Sequence, residues 1–148
     1  MEIQEDFRDL LALFSEHKVE YVIVGAYALA FHGAPRYTGD IDIFVKPDPA
    51  NAQRIMAALD KFGFGSVGLQ PEDFEEPDNI IQLGVPPVRV DIITSITGVT
   101  FGEAFSMRAA GMYGDVYVNY IGREQFIVNK RTLGRKKDLA DLEAIGEA

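Results

Sequence analysis

The pattern that most limits what this chain can become is Asp40-Ile41-Asp42-Ile43-Phe44-Val45, two acids alternating with hydrophobes at the start of an apolar run. In a β-strand successive side chains leave opposite faces, so Asp40 and Asp42 share one face and Ile41 and Ile43 the other. Two carboxylates held side by side repel each other, which costs stability unless a cation or a proton sits between them. Such a pair asks for a metal.

The residues around the pair sharpen that expectation. Tyr21-Val22-Ile23-Val24 is continuous, apolar and rich in β-branched residues, the pattern of a strand buried on both faces. Gly25 ends it, and Ala26 to Phe31 reads as a helix of under two turns closed by Gly33 and Pro35. A glycine turn at a helix start offers free backbone N–H groups where the helix dipole favours an anion. Further on, Arg89-Val90-Asp91-Ile92-Ile93 is an apolar strand whose only carboxylate is Asp91. If that strand pairs beside the Asp-x-Asp strand, Asp40, Asp42 and Asp91 can converge on one face at the sheet edge. Three oxygen donors point to a hard cation, Mg²⁺ or Mn²⁺. The chain has no cysteine and only two histidines, His17 and His32, which leaves little material for zinc.

The remaining chain predicts a single domain over residues 1–148, with no repeat, low-complexity segment or dividing linker. Helices are expected over about Glu5 to His17 (Phe7, Leu10, Leu11 and Phe14 inward), Ala50 to Phe62, Phe101 to Ala109, Arg123 to Thr132 and Lys136 to Ile145. Strands are expected over Asn79 to Gly84, Val88 to Thr94 and Asp115 to Ile121, the first two joined stiffly across Val85-Pro86-Pro87. Pro71 to Asp78, acidic and proline-flanked, reads as a surface loop. The fold class is therefore α/β (α+β): a short mixed sheet with helices packed mainly on one side.

Charge and composition narrow the partners. A net charge of -9 argues against binding a long nucleic-acid duplex, which needs clustered cations over a wide surface. The positive charge is local: Lys130, Arg131, Arg135, Lys136 and Lys137 crowd one short stretch, which suits a triphosphate or one arm of an RNA. No apolar run approaches the ~20 residues of a membrane span, and the acidic start is unlike a signal peptide, so the expected setting is cytoplasmic.

Taken together, Gly25-Ala26, the Arg36-x-Thr38-x-Asp40-Ile41-Asp42 run and the lone strand acid Asp91 resemble the DNA polymerase β-like nucleotidyltransferase superfamily. Within it, His32-Gly33-x-x-Arg36 and the tail Gly134-Arg135-x-Lys137-Asp138-x-x-Asp141 look like the AbiEii/AbiGii-type toxin group and its small relatives. Asp-x-Asp alone is a weak signal; the ordered set spans nearly the whole chain and is fairly specific. The resemblance implies that Gly25 and Ala26 cradle the phosphates of an NTP and that Asp40 and Asp42 bind two divalent ions. It implies that Asp91 shares one ion and helps deprotonate the attacking hydroxyl. Arg36, Lys130 and Lys137 are candidates for triphosphate charge stabilisation, and Thr38 for a bond to the loop or an ion-bound water. The expected activity is transfer of a nucleoside monophosphate to a tRNA 3′ end, a protein or a small molecule, possible within a toxin–antitoxin pair.

Plainer readings stand beside these. Taken alone, Asp40 and Asp42 would be an exposed strand face; Gly25, Arg36 and Asp91, in order, favour the metal. Arg36 serves equally to neutralise Asp40 or Asp42, and His32 reads as packed or capping. Asp138 reads as structural, bonding Arg135 or a helix end, and the basic cluster as a solvated face with pairs such as Lys137 to Asp141. Tyr117 and Tyr120 are open between core and base stacking. Many superfamily enzymes carry Ser after the glycine, where this chain has Ala26 and no hydroxyl. The alternative function is therefore a catalytically reduced nucleotide-binding or regulatory partner, and a third is an interaction module with no nucleotide site.

Overall fold

Phe7, Leu10, Leu11 and Phe14 form one stripe of helix α1 (Glu5–Glu16), and all four are buried. The computed structural model describes residues 3–35, 39–65, 68–85 and 88–147. Among those residues, six strands follow the apolar runs: β1 (Tyr21–Val24), β2 (Asp40–Val45), β3 (Ile80–Val85), β4 (Val88–Ile93), β5 (Ala109–Tyr113) and β6 (Val116–Tyr120). They make one mixed sheet in the order β3-β4-β2-β1-β6-β5. β1 runs antiparallel to β2 and parallel to β6, while β2 and β4 are parallel. This is the α/β fold with a short mixed sheet that the sequence predicts.

The sheet's period of two divides the core. Tyr21, Ile23, Ile41, Ile43, Val90 and Ile92 face the larger cluster, closed by α1 and by helix α3 (Pro49–Leu59). Val22, Val24 and Phe44 face a smaller cluster with helix α4 (Phe101–Ser106) and helix α5 (Arg123–Leu133). Asp40 and Asp42, in phase with Phe44, leave from that second face.

Local chemistry sets the helix ends. Asp48 caps α3 by accepting a hydrogen bond from the Asn51 backbone N–H at 2.7 Å, with Pro49 at the first helical position. Thr100 and Glu103 form a reciprocal capping box at the start of α4. Gly134, in the left-handed region at φ 65°, ends α5 and turns the chain into helix α6 (Lys136–Ala144).

Three local expectations are corrected. Pro71 to Asp78 is more than a surface loop: Pro71–Phe74 makes a 3₁₀ turn that drives Phe74, fully buried, under α3. Its acidic neighbours stay outside, and their polarity masks the one anchor. The helix expected to reach Ala109 stops at Ser106, and Ala109–Tyr113 becomes the edge strand β5, paired with β6. Ala-Ala-Gly-Met-Tyr carries little strand signal of its own; pairing with the strongly β-forming Val116–Tyr120 decides it. The helix after Pro49 ends at Leu59 and opens into a wider turn over Asp60–Phe64. Pro86 and Pro87 of the expected hairpin connection lie outside the described residues.

Candidate active site

The parallel pairing of β2 and β4 places Asp42 directly opposite Asp91 and Asp40 opposite Arg89. Two acids from one strand and one from the next therefore share a face, as their spacing predicts. Helix α2 (Gly25–Phe31) begins beside them, where β1 pairs Val24 with Asp42. Gly25 takes φ +67°, and a Cβ on it would overlap the Asp42 carboxylate oxygen. Glycine is required here twice over, for the positive φ and for the close approach.

Arg89 organises the acids. Its Nε donates to Asp91 Oδ1 at 2.8 Å, and its Nη2 donates both to Asp91 Oδ2 and to Asp40 Oδ2, each at 3.1 Å. The bidentate fork on Asp91 and the bridge to Asp40 put a fixed positive charge between two of the carboxylates. Asp42 is left to Asp91. Its carboxyl is pushed up to about 6, first by burial, then by the Asp91 charge and a hydrogen bond to Asp91, with Asp40 adding to it. Lys130 acts in the opposite sense and favours the ionised form. A proton on Asp42 thus does for the Asp42–Asp91 pair what Arg89 does for Asp40 and Asp91.

Among the described residues, no group of three or more acid or histidine side chains is gathered closely enough to hold an ion. Asp40 and Asp91 are instead bridged by the Arg89 guanidinium. The donor chemistry itself, three carboxylates and no sulfur or imidazole, fits Mg²⁺ or Mn²⁺.

The other expected residues divide. Arg36 and Thr38 lie outside the described residues. Ala26 is in the first turn of α2, next to Gly25. Lys130, in the last turn of α5, is largely buried, with Nζ 3.1 Å from Asp141 Oδ2 and 3.4 Å from Asp138 Oδ1. Lys137 lies exposed on α6. Asp138 accepts from the Arg135 backbone N–H at 3.2 Å and from its Nε at 2.6 Å, the structural role expected of it. Arg135 holds its carboxyl below the usual range. His32 is packed, its Nε2 at 2.8 Å from the Ile121 carbonyl. Tyr120 is buried with its hydroxyl donating to the Met112 carbonyl, whereas Tyr117 is exposed on the β5–β6 edge.

Arg89 is a site residue that the strand pattern alone does not single out. The signal was available: Arg89 and Asp91 are two apart in a strand, so they must share a face. Nor does the sequence pair Lys130 with Asp138 or Asp141, because nothing in it shows that α5 and α6 fold back on each other there.

Residues 3–148 match the family described as "Nucleotidyl transferase of unknown function" (DUF2204). Comparison with curated proteins gives no match. Among solved structures, the chain is similar to a Thermotoga maritima protein (TM1012) provisionally assigned as a nucleotidyltransferase. That match has a TM-score of 0.64 at 15% identity and covers 96% of this chain and 93% of the other. It is also similar to the lincosamide antibiotic adenylyltransferase LnuA in its lincomycin-bound form, with a TM-score of 0.56 at 14% identity and 98% of each chain covered. At such identities the likeness is one of fold.

Proposed function

The chain belongs to the DUF2204 family of nucleotidyl transferases, and from that premise we propose that it moves a nucleoside monophosphate from an NTP to an acceptor hydroxyl. In that reaction the acceptor oxygen bonds to the α-phosphorus, the bond to pyrophosphate breaks, and the hydroxyl proton passes to a carboxylate. One observation carries the reading: Asp42 and Asp91 stand directly opposite each other on β2 and β4, with Asp40 two residues along the same face.

In this reading Asp40, Asp42 and Asp91 would hold Mg²⁺ or Mn²⁺, two ions by the resemblance, which when bound stabilise the entering and leaving oxygens. Asp91 takes the acceptor proton. The Gly25-Ala26 turn supplies backbone N–H groups to the phosphates, and the absence of a side chain at Gly25 lets them approach the acids. Lys130 offers charge to the triphosphate, with Arg36, Thr38 and Lys137 as further candidates. The acceptor is a small molecule, a tRNA 3′ end or a protein side chain. LnuA, an adenylyltransferase with lincomycin bound, favours the first. A toxin–antitoxin role rests on the AbiEii-type resemblance alone.

A second reading, nucleotide binding with reduced turnover, is favoured by Ala26 and by the Arg89 fork, which engages Asp91 and Asp40 at once.

The test is a thermal-shift panel of wild type and Asp42→Asn with each NTP, with and without Mg²⁺ or Mn²⁺. A ligand that binds only the folded state stabilises it by about 2.7 kcal/mol at a hundred times its Kd. A metal-dependent shift with one NTP, lost in Asp42→Asn, supports the site and names the base for an acceptor search. Undiminished transfer by a folded Asp42→Asn protein would overturn the proposal. Nucleotide binding with no turnover on any acceptor would select the second reading.

A further inference from the structure

We propose that Asp138 and Asp141 are positioning residues that hold the Lys130 ammonium beside the carboxylate face, oriented toward a bound triphosphate. The inference rests on the nucleotidyl-transfer reading above and adds to it the device that aims the lysine.

The geometry begins with the α5–α6 turn. Gly134 reverses the chain, so the last turn of α5 meets the first two turns of α6. Asp138 and Asp141 are three apart on α6 and therefore project from one face. Both carboxylates reach the Lys130 ammonium. The side chains are 12% exposed for Lys130, 0% for Asp138 and 6% for Asp141, so this is a buried charge cluster. The Phe126 ring, one turn back on α5, lies 5.5 Å from Nζ and walls the stem.

The two acids have different roles. Asp138 is itself locked by Arg135, whose Nε and Nη2 reach its two oxygens and whose backbone N–H completes the helix cap. It cannot swing away with the lysine. Asp141 makes the shorter contact with Lys130 and sets the direction of the ammonium. Phe126, one turn from Lys130, packs in one cluster with Val24 and Phe44, so α5 lies on the sheet face from which Asp40 and Asp42 project.

Burying charge carries a desolvation penalty, and an apolar contact would close a helical hairpin equally well; Phe126 on α5 and Leu142 on α6 are themselves buried apolar side chains. A cluster that only pins α5 to α6 needs no neighbour on the sheet. A lysine held by two acids, on a helix that packs against the face carrying Asp40 and Asp42, is arranged to meet an anion arriving at that face.

The experiment measures binding of Mg²⁺-tripolyphosphate, a probe that carries no base, by titration calorimetry, with thermal unfolding of the same samples. Lys130→Met and Asp141→Asn are each expected to weaken binding about tenfold, the loss of one charge-assisted contact. The double variant should be no weaker than either single one, and Asp141→Glu should restore binding. Where Asp141→Asn does not fold, Asp138→Asn is read in its place. A lower melting temperature with unchanged affinity overturns the proposal, as does an Asp141→Asn effect of equal size in the Lys130→Met background. Wild-type protein that binds neither tripolyphosphate nor any Mg²⁺-NTP overturns both this inference and the transfer reading. Binding abolished by Asp42→Asn but untouched by Asp141→Asn leaves transfer standing and sinks the positioning role alone.

Discussion

The backbone of Gly25 lies directly against the carboxylate of Asp42, so closely that a Cβ there would overlap Oδ2. The strand end, the helix start and the acid pair are thereby one unit. Gly25→Ala must either push Asp42 off its position or distort the first turn of α2. The left-handed φ alone costs an alanine about 1–2 kcal/mol. The expected outcome is a modest fall in melting temperature with nearly complete loss of NTP binding. Retained binding in a folded Gly25→Ala protein would show that the phosphates lie elsewhere.

The pH dependence of the metal-free protein follows from Asp42. Its carboxyl rises from the usual 3.8 to about 6 in the fold. A raised acid contributes stability that is fully present below the unfolded value and is lost as pH rises through the folded one. A shift of this size corresponds to about 3 kcal/mol, fading between roughly pH 4 and 6. Urea melts across that window should show stability falling with rising pH in wild type, and a flatter profile in Asp42→Asn. Mg²⁺ or Mn²⁺ should bind more weakly below about pH 6, where it competes with the Asp42 proton.

Arg89 compensates Asp40 and Asp91, so Arg89→Met leaves like charges on one face. The metal-free variant should melt at a lower temperature than wild type, and added Mn²⁺ should recover more of that loss than it adds to wild type. A smaller Mn²⁺ response in the variant would mean that Arg89 keeps Asp91 in place as a ligand.

Phe74 is fully buried by a turn that reads as solvent-exposed. Phe74→Ala should destabilise the fold by about 3–5 kcal/mol, as large core truncations do. The check is the urea midpoint, with the slope unchanged. A loss well under 1 kcal/mol would show that α3 closes over the vacancy.

Much of this protein was legible from local pattern. The continuous apolar runs of β1 and β4, the alternation of β2 and the helical spacing of Phe7, Leu10, Leu11 and Phe14 in α1 mark those elements, because each buries apolar side chains of its own. The phase of Asp40 and Asp42 against Ile41 and Ile43 likewise follows from strand geometry alone, and Gly25 from the turn it must make. The segments that misled are those whose identity depends on a distant partner: Ala109–Tyr113 is a strand because β6 supplies its hydrogen bonds, and Phe74 is an anchor because α3 covers it. The register that sets Asp42 opposite Asp91, the reach of Arg89 from Asp91 to Asp40, and the fold of α6 that brings Asp138 and Asp141 to Lys130 were decided only in three dimensions. Composition and spacing specify which face a side chain leaves from. Charge–charge energies depend on the distance between groups remote in the chain, and that distance exists only once the sheet has paired and the helices have closed on it.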